Sequence, residues 1–77
     1  MQHNNLPPEL YTGHQLLRIQ DVADLTSLSR SYIYELAAQR RFPRSVPLVP
    51  GGTARAWIGA EIKQWIEDRI AERDMEV

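Results

Sequence analysis

Five arginines lie in one segment of the chain, and their side-chain chemistry suits a polyanion. Residues 28–58 carry them against a single acid, Glu35, which gives this segment a net charge of +4. The five are Arg30, Arg40, Arg41, Arg44 and Arg55. A guanidinium offers forked donors that match phosphate oxygens and the O6/N7 edge of guanine. A solvated surface charge explains one such residue, for example Arg44, equally well, but it does not explain five in one segment.

The remaining segments are acidic, so the overall formal charge is −1 although residues 28–58 are basic. Residues 1–27 carry a net charge of −2, and residues 59–77 carry −3. Because the positive charge is confined to the middle of the chain, we expect the middle to face a nucleic acid and the acidic C-terminal part to point away from it.

Two short amphipathic helical patterns meet across a three-residue break. The first helix is predicted over Gln20 to Leu25, the break over Thr26 to Leu28, and the second helix over Arg30 to Ala38. Ser29 stands at the N-cap position, where its hydroxyl can accept from free backbone N–H groups. This pattern predicts a helix-turn-helix, a unit that places its second helix in the major groove of DNA. An ordinary helical hairpin with a polar outer face is the alternative.

The inward residues of the second helix recur at helical spacing and can pack on the first helix. The two sets are Ile33, Leu36 and Ala37, and opposite them Val22, Ala23 and Leu28. Ala23 is small enough to let the two helices cross closely. Ser27 stands where a left-handed glycine would be easiest, and a non-glycine residue there costs about 1 kcal/mol. We also expect Tyr32 to belong to the core.

The outward residues of the second helix are the candidates for contact with DNA. Side chains at the start of such a helix reach furthest into the groove, which selects Ser29, Arg30 and Ser31. Tyr34 lies one turn further, where it can donate to a phosphate or pack on a sugar, and a half-buried structural ring is its alternative. Glu35 can accept from a cytosine amine, and a merely solvated carboxylate is equally consistent with its position.

The segment 42–57 loses the helical spacing and carries three prolines and a Gly-Gly pair. Pro50-Gly51-Gly52 predicts a turn between two strands, Ser45 to Val49 and Thr53 to Trp57. Because prolines such as Pro47 remove backbone donors, we expect the hairpin to be an edge ribbon and not to contain an interior strand.

A ribbon that directly follows the second helix is a wing. We expect this wing, residues 43–57, to bring Arg55 to backbone phosphates or into the minor groove, and Arg40 and Arg41 to hold phosphates. A glycine loop that cradles a phosphate is the weaker alternative, because no Gly-Lys-Ser/Thr follows the glycines.

Helical periodicity returns from Gly59 to about Asp74, which predicts the longest helix of the chain. One stripe of this helix consists of Ile58, Ile62, Trp65, Ile66, Arg69 and Ile70, which are apolar except for Arg69. We expect Trp57 and Trp65 to close the core beneath the helix-turn-helix, with no ligand needed to explain them. The stripe also leaves a surface that can serve self-association or a protein partner.

The chain lacks the residue groupings on which most enzymes and metal sites depend. It has no cysteine, so disulfides, thiolate metal sites and a cysteine nucleophile are excluded. We find no carboxylate pair and no nucleophile beside a base, and therefore predict neither an enzyme nor a bound cofactor. His3 and His14 are eleven residues apart without a further ligand, so we expect no metal site.

The first fourteen residues lack periodicity and contain two adjacent prolines. We expect an extended or disordered arm over residues 1–14 and one domain over residues 15–75. Docking of Leu6, Leu10 and Tyr11 on the core is the alternative. Since the start of the chain has neither a basic region nor an apolar run, and no run approaches the roughly 18 apolar residues that span a bilayer, we expect a cytoplasmic protein without membrane contact.

Three stretches of the chain together resemble the AlpA family of small phage and prophage transcriptional regulators. They are LLRIQDVADLTSLSRSYIYEL, RRFPRSVPL and ARAWIGAEIKQWIEDRIAER, and they span about residues 16–73. The resemblance implies a winged helix-turn-helix related to MerR-like and excisionase domains, which binds DNA through its second helix and its wing. Two residues depart from the family: Ser27 replaces the usual turn glycine, and Glu35 stands where a basic residue is frequent. The base preference therefore cannot be carried over.

Together these observations predict a mainly α-helical fold with a small β-hairpin that binds a specific DNA duplex beside a promoter or a recombination site. One such module buries only about 600 to 1,000 Å² of its surface, so tight specificity would require a homodimer or tandem binding. RNA polymerase or a recombinase would be the protein partner. Two further functions stay open: an excisionase-like architectural factor, and a protein-interaction adaptor that uses the last helix.

Overall fold

The computed structural model describes residues 15–76, and these form three helices and a three-stranded antiparallel sheet. In chain order the elements are β1 (Leu16–Leu17), α1 (Ile19–Thr26), α2 (Arg30–Ala38), β2 (Val46–Pro47), β3 (Arg55–Ile58) and α3 (Gly59–Met75). The predicted mainly helical fold with a small hairpin is confirmed. The expected N-terminal arm, its alternative docked state and the His3/His14 pair lie outside the described residues.

The turn between α1 and α2 follows from two serines. Ser27 ends α1 in the left-handed conformation, with φ 63° and ψ 19°, and its N–H donates to the carbonyl of Ala23 at 2.8 Å. Ser29 precedes α2, and its hydroxyl oxygen accepts from the N–H of Tyr32 at 3.2 Å. The predicted Ser29 cap and helix start at Arg30 are confirmed, and Ser27 adopts the left-handed conformation that the sequence marked as costly for a residue other than glycine.

One apolar core joins the helix-turn-helix to the sheet and to α3. Its buried members are Leu17, Val22, Ile33, Leu36, Phe42, Trp57 and Ile62. Ala23, Leu28 and Trp65 pack against this cluster while remaining partly accessible. The predicted meeting of α1 and α2 is confirmed, since Val22 and Ile33 are both 0% exposed. The core thus fixes α2 from beneath and leaves its other face free.

The sheet corrects the prediction of a two-stranded edge ribbon. β3 lies between β1 and β2, with Leu17 paired to Trp57 and Val46 paired to Ala56. The prediction is therefore wrong for β3, which is an interior strand, and right for β2, the edge strand that carries Pro47. β1 escaped prediction because a two-residue strand is too short to show alternation.

The hairpin strands are also shorter than predicted. The ladder covers Val46–Pro47 and Arg55–Ile58 where the sequence indicated residues 45–49 and 53–57. One bond continues it, from the N–H of Leu48 to the carbonyl of Ala54 at 2.9 Å, before the turn begins. Because Pro47 has no N–H to donate, the ladder is weak on this edge.

The prediction that Tyr32 belongs to the core is wrong, because the residue is 45% exposed. The inward face of α2 is already filled by Ile33 and Leu36. Tyr32 instead lies on the wall of a depression shared with Leu28 and the second half of α3.

α3 begins beside β1 and extends past the core. The N–H of Gly59 donates to the carbonyl of Gln15 at 2.6 Å, and Ile62 is fully buried. Further along, Ile70 is 47% exposed and Met75 is 84% exposed. None of the helices in residues 15–76 has the length and apolar content needed to cross a membrane.

Candidate nucleic-acid interface

The free face of α2 presents two parallel stripes of polar side chains. Arg30 and Tyr34 are one helical turn apart and form one stripe, and Ser31 and Glu35 form its neighbour. All four residues are exposed. Neither ion pair within residues 15–76 involves this helix. The arrangement leaves a guanidinium, a hydroxyl and a carboxylate available at the first two turns of α2.

Ser29 and Tyr34 each combine a structural contact with accessibility. The Ser29 hydroxyl oxygen caps α2, which leaves its O–H free to donate to a phosphate. The Tyr34 ring packs at a tilt on Trp57, with 6.0 Å between the ring centroids, while 52% of the residue stays exposed. Tyr34 is therefore both a half-buried structural ring and accessible to a ligand.

A groove lies between the C-terminal half of α2 and the wing. We call it the wing groove, and its lining residues are Ala37, Ala38, Arg44, Ser45, Val46, Arg55, Ile58 and Glu61. The stripe of Arg30 and Tyr34 continues after one more turn to Ala38, on the wall of this groove. Arg44 and Arg55, which we call the wing arginines, thus lie where the stripe ends. Arg44 was not singled out as a site residue from the sequence, although the charge of its segment pointed to it.

Arg55 is held across the hairpin and does not project freely from it. Its Nε donates to Ser45 Oγ at 2.6 Å, and its Nη2 donates to the Ser45 carbonyl oxygen at 3.0 Å. Both acceptors are neutral, so the positive charge keeps no carboxylate partner among the described residues. These bonds preorganise the guanidinium on the exposed side of β3.

α2 ends in a turn that directs Arg40 and Arg41 toward α3. Arg40 adopts φ 61°, its N–H donates to the carbonyl of Ala37 at 3.0 Å, and the N–H of Arg41 donates to the carbonyl of Leu36 at 2.8 Å. This is a Schellman motif with arginine in the place usually taken by glycine. Both arginines line a depression against α3, and neither lines the wing groove.

Two indole N–H groups bind the segment that joins α2 to the wing. In this connecting segment, residues 41–43, the carbonyl of Arg41 accepts from Trp65 Nε1 at 3.1 Å. The carbonyl of Pro43 accepts from Trp57 Nε1 at 3.0 Å. Sequence reasoning placed both tryptophans in the core but missed these bonds, because their acceptors are backbone atoms 24 and 14 residues away.

The arginines of α3 are in a different electrostatic environment. Arg69 is paired with Glu72 and lies over the Trp65 ring, 4.8 Å from its centroid. Arg73 is paired with Asp74 at 2.8 Å. These side chains therefore have their charges compensated on the helix itself.

The described residues offer no obvious metal centre. Within residues 15–76 no group of three or more histidine, cysteine, aspartate or glutamate side chains is placed to hold an ion. The polar side chains of α2 and of the wing are instead mostly donors, which suits an anionic ligand.

The chain is similar to known phage and prophage proteins over most of its length. The family model described as prophage CP4-57 regulatory protein (AlpA) matches residues 15–70, which is most of the chain. The chain belongs to the AlpA family.

The protein is also 44% identical over 62 residues to a protein of Enterobacteria phage P4, described as uncharacterized protein ORF88. That match covers 80% of this chain and 68% of the phage protein. No solved structure matches. The family match confirms the resemblance seen in the sequence. The family is described as regulatory.

Proposed function

We propose that this member of the AlpA family is a sequence-specific transcriptional regulator that binds double-stranded DNA. In this proposal α2 enters the major groove with its N-terminal turn, and the wing contacts the backbone or the minor groove. The observation that supports it most directly is the alignment of the Arg30 and Tyr34 stripe with the wing groove, whose lining contains the two wing arginines and one acid, Glu61. A long, negatively charged ligand fits this arrangement.

The first two turns of α2 supply the contacts that distinguish one DNA sequence from another. Arg30 can bind the O6/N7 edge of guanine through two parallel bonds, and Ser31 can bind either a donor or an acceptor on a neighbouring base. Glu35 accepts from a cytosine N4 amine, and Tyr34 donates to a phosphate or packs on a sugar. Ser29 adds a phosphate contact at the start of the helix.

The remaining arginines supply contacts with the backbone. Arg55 and Arg44 bind phosphates beside the wing or enter the minor groove, where narrow A·T-rich segments attract arginine. Arg40 and Arg41 bind phosphates beyond the C-terminal end of α2. These contacts fix the register of the protein on the duplex without specifying the sequence.

The size of the domain makes assembly on DNA part of the proposal. One module of this kind covers only about 600 to 1,000 Å² of its own surface on DNA, so a tight and specific complex requires a homodimer or tandem copies. The site lies beside a promoter, where RNA polymerase is the neighbouring protein, and the protein is nucleoid-associated in the cytoplasm. An excisionase-like factor would instead bind beside a recombination site, with a recombinase as its neighbour.

A selection from DNA libraries tests this proposal. Purified protein is challenged with fragmented host genomic DNA and with a random duplex library, beside Arg30→Ala and the matched control Arg73→Ala on α3. Each variant removes one positive charge, but Arg73 lies outside the proposed interface.

The expected result is one enriched motif with the wild type and with Arg73→Ala, and loss of that motif with Arg30→Ala. A motif beside promoters supports regulation, and tandem motifs at recombination sites support the architectural role. No enriched motif at low salt, or equal enrichment with all three proteins, would contradict sequence-specific binding by α2. Activity that survives the loss of both Arg30 and Arg55 would instead favour the adaptor function.

A further inference from the structure

The connecting segment is held at three consecutive residues from two different elements. Trp65 of α3 donates to the Arg41 carbonyl, and Trp57 of β3 donates to the Pro43 carbonyl. Between them Phe42 is only 5% exposed, and its ring meets the Trp65 ring edge to face with 4.9 Å between centroids. A connection of this length would otherwise be free to adopt several backbone conformations.

Trp57 contacts both parts of the proposed interface. Its indole N–H binds the Pro43 carbonyl, directly before Arg44, while its ring packs against Tyr34 on the stripe of α2. The residue is 2% exposed and therefore does not reach a ligand itself. One buried ring thus joins the helix proposed to bind bases to the start of the wing.

We propose that Trp57 and Trp65 are positioning residues for DNA binding. Their indole N–H groups fix the connecting segment, and thereby the place of the wing arginines relative to α2. This inference rests on the proposed function, because it assigns the tryptophans a role in the binding of the same duplex. Neither tryptophan touches the DNA, and each acts through Arg44 and Arg55.

The chemistry of the indole explains why tryptophan serves this role. The indole N–H can donate a hydrogen bond but cannot accept one, so its partner must be an acceptor such as a backbone carbonyl. Another large apolar ring would pack in the same place. The hydrogen bond, in addition, fixes the orientation of the ring relative to the backbone carbonyl. A wing held in its bound position before DNA arrives loses less conformational entropy on binding.

The test removes the N–H donors and keeps the rings. Trp65→Phe retains an aromatic ring against Phe42 and lacks the donor to Arg41. Benzothienylalanine at position 65 keeps the bicyclic shape and also lacks the N–H, so it answers the same question if the smaller ring impairs folding. Trp57→Phe is the corresponding variant for the Pro43 carbonyl. Circular dichroism establishes that each variant is folded.

The binding measurement is the dissociation constant for duplex DNA as a function of salt concentration. Loss of one phosphate contact weakens binding about eightfold at 0.1 M salt and reduces the magnitude of the log-log salt slope by about 0.9. We expect this change for Trp65→Phe and Trp57→Phe. A variant that merely lowers the folded fraction weakens binding at all salt concentrations and leaves the slope unchanged, so the slope separates positioning from stability.

A double-mutant cycle identifies the groups through which the tryptophans act. In the background R44Q/R55Q, which lacks both wing arginines, Trp65→Phe should cause no further loss of affinity. In the background Arg30→Gln, on α2, it should cause its full effect. Equal effects in both backgrounds, or an unchanged salt slope in the wild-type background, would overturn the inference.

Hydrogen exchange of the free protein gives a readout that needs no DNA. We expect the exchange of the Leu48 amide of the wing to accelerate more than that of the Ile33 amide of α2 in both Trp65→Phe and Trp57→Phe. Unchanged exchange at Leu48 overturns the positioning role. Faster exchange in a protein whose wild type shows no salt-dependent DNA binding overturns the proposed function instead, so the two failures are distinguishable.

Discussion

The arginines of the α2 and wing region and those of α3 share one chemistry but differ in their surroundings. On α3 each arginine has a carboxylate partner on the same helix, Glu72 for Arg69 and Asp74 for Arg73. Among the described residues, no arginine of α2 or of the wing has such a partner. Arg55 is bound only to neutral oxygens of Ser45. Residue type alone therefore does not separate the two groups of arginines, whereas the presence or absence of a direct ion pair does.

This difference has an electrostatic consequence. A paired, exposed arginine contributes little to the field around the protein and about 0 to 1 kcal/mol to stability. Unpaired arginines along one surface raise the local potential and attract a polyanion, with an effect that salt weakens. The overall charge of −1 therefore says little about DNA binding, because most of the negative charge lies in other segments of the chain, although Glu61 of α3 lines the wing groove.

The largest expected effect comes from breaking the core that supports both regions. Ile33→Ala removes a fully buried side chain of α2 and should lower the free energy of unfolding by about 2 to 5 kcal/mol, measured by urea denaturation. The adjacent Tyr32→Ala is the control, because Tyr32 is 45% exposed and should matter much less. Equal losses for the two variants would contradict the assignment of the inward face of α2.

Arg30→Ala tests the basic region directly. Loss of a bidentate base contact should weaken binding to the selected duplex by about 1 to 3 kcal/mol and binding to random duplex much less. Fluorescence anisotropy with the two duplexes measures both values. An equal loss on both duplexes would show that Arg30 binds phosphate and does not distinguish bases.

Ser29→Ala sharpens the comparison by changing the start of α2 without changing its charge. Loss of the bond from the Tyr32 N–H should lower the free energy of unfolding by about 1 kcal/mol. Ser31→Ala is the matched control, since Ser31 is exposed and forms no cap. Thermal unfolding compares the two variants, and a smaller loss for Ser29→Ala than for Ser31→Ala would contradict the cap.

The smallest effect is expected on α3. Arg73→Gln breaks an exposed ion pair and should change the free energy of unfolding by less than about 0.5 kcal/mol. It should leave the dissociation constant for DNA within twofold, as measured by anisotropy. A loss of affinity as large as that of Arg30→Ala would remove the distinction between the two regions.

Local chemistry made the helix-turn-helix predictable from the sequence. Ser29 and the apolar spacing of Ile33 and Leu36 determine where α2 begins and which face it buries, and both depend on residues within one or two turns. For the same reason the sequence marked Ser27 as a residue at a position that favours a left-handed glycine. Which of the outward residues bind DNA stays a prediction.

Contacts between distant residues could not be predicted in this way. β1 exists only because Leu17 pairs with Trp57 on a strand forty residues later. The left-handed Arg40 gave no signal, because arginine has no preference that marks such a position. Tyr32 was placed in the core by its type, but within residues 15–76 it is only partly covered, which depends on the path of α3. The hydrogen bonds from the tryptophans to backbone carbonyls could not be predicted from the sequence, because every residue has a backbone carbonyl.

The measurement that tests the central claim most directly compares two double variants with equal changes in net charge. R44Q/R55Q removes the wing arginines, and R69Q/R73Q removes two paired arginines of α3. Dissociation constants for one DNA duplex are measured for both variants and the wild type over a range of salt concentrations.

If four phosphates are neutralised, the wild type should show a log-log slope of about −3.6. R44Q/R55Q should reduce its magnitude by about 1.8, and R69Q/R73Q should leave it unchanged. A wild-type slope near zero, or equal reductions in the two variants, would contradict the claim that the unpaired arginines of α2 and the wing form the DNA-binding surface.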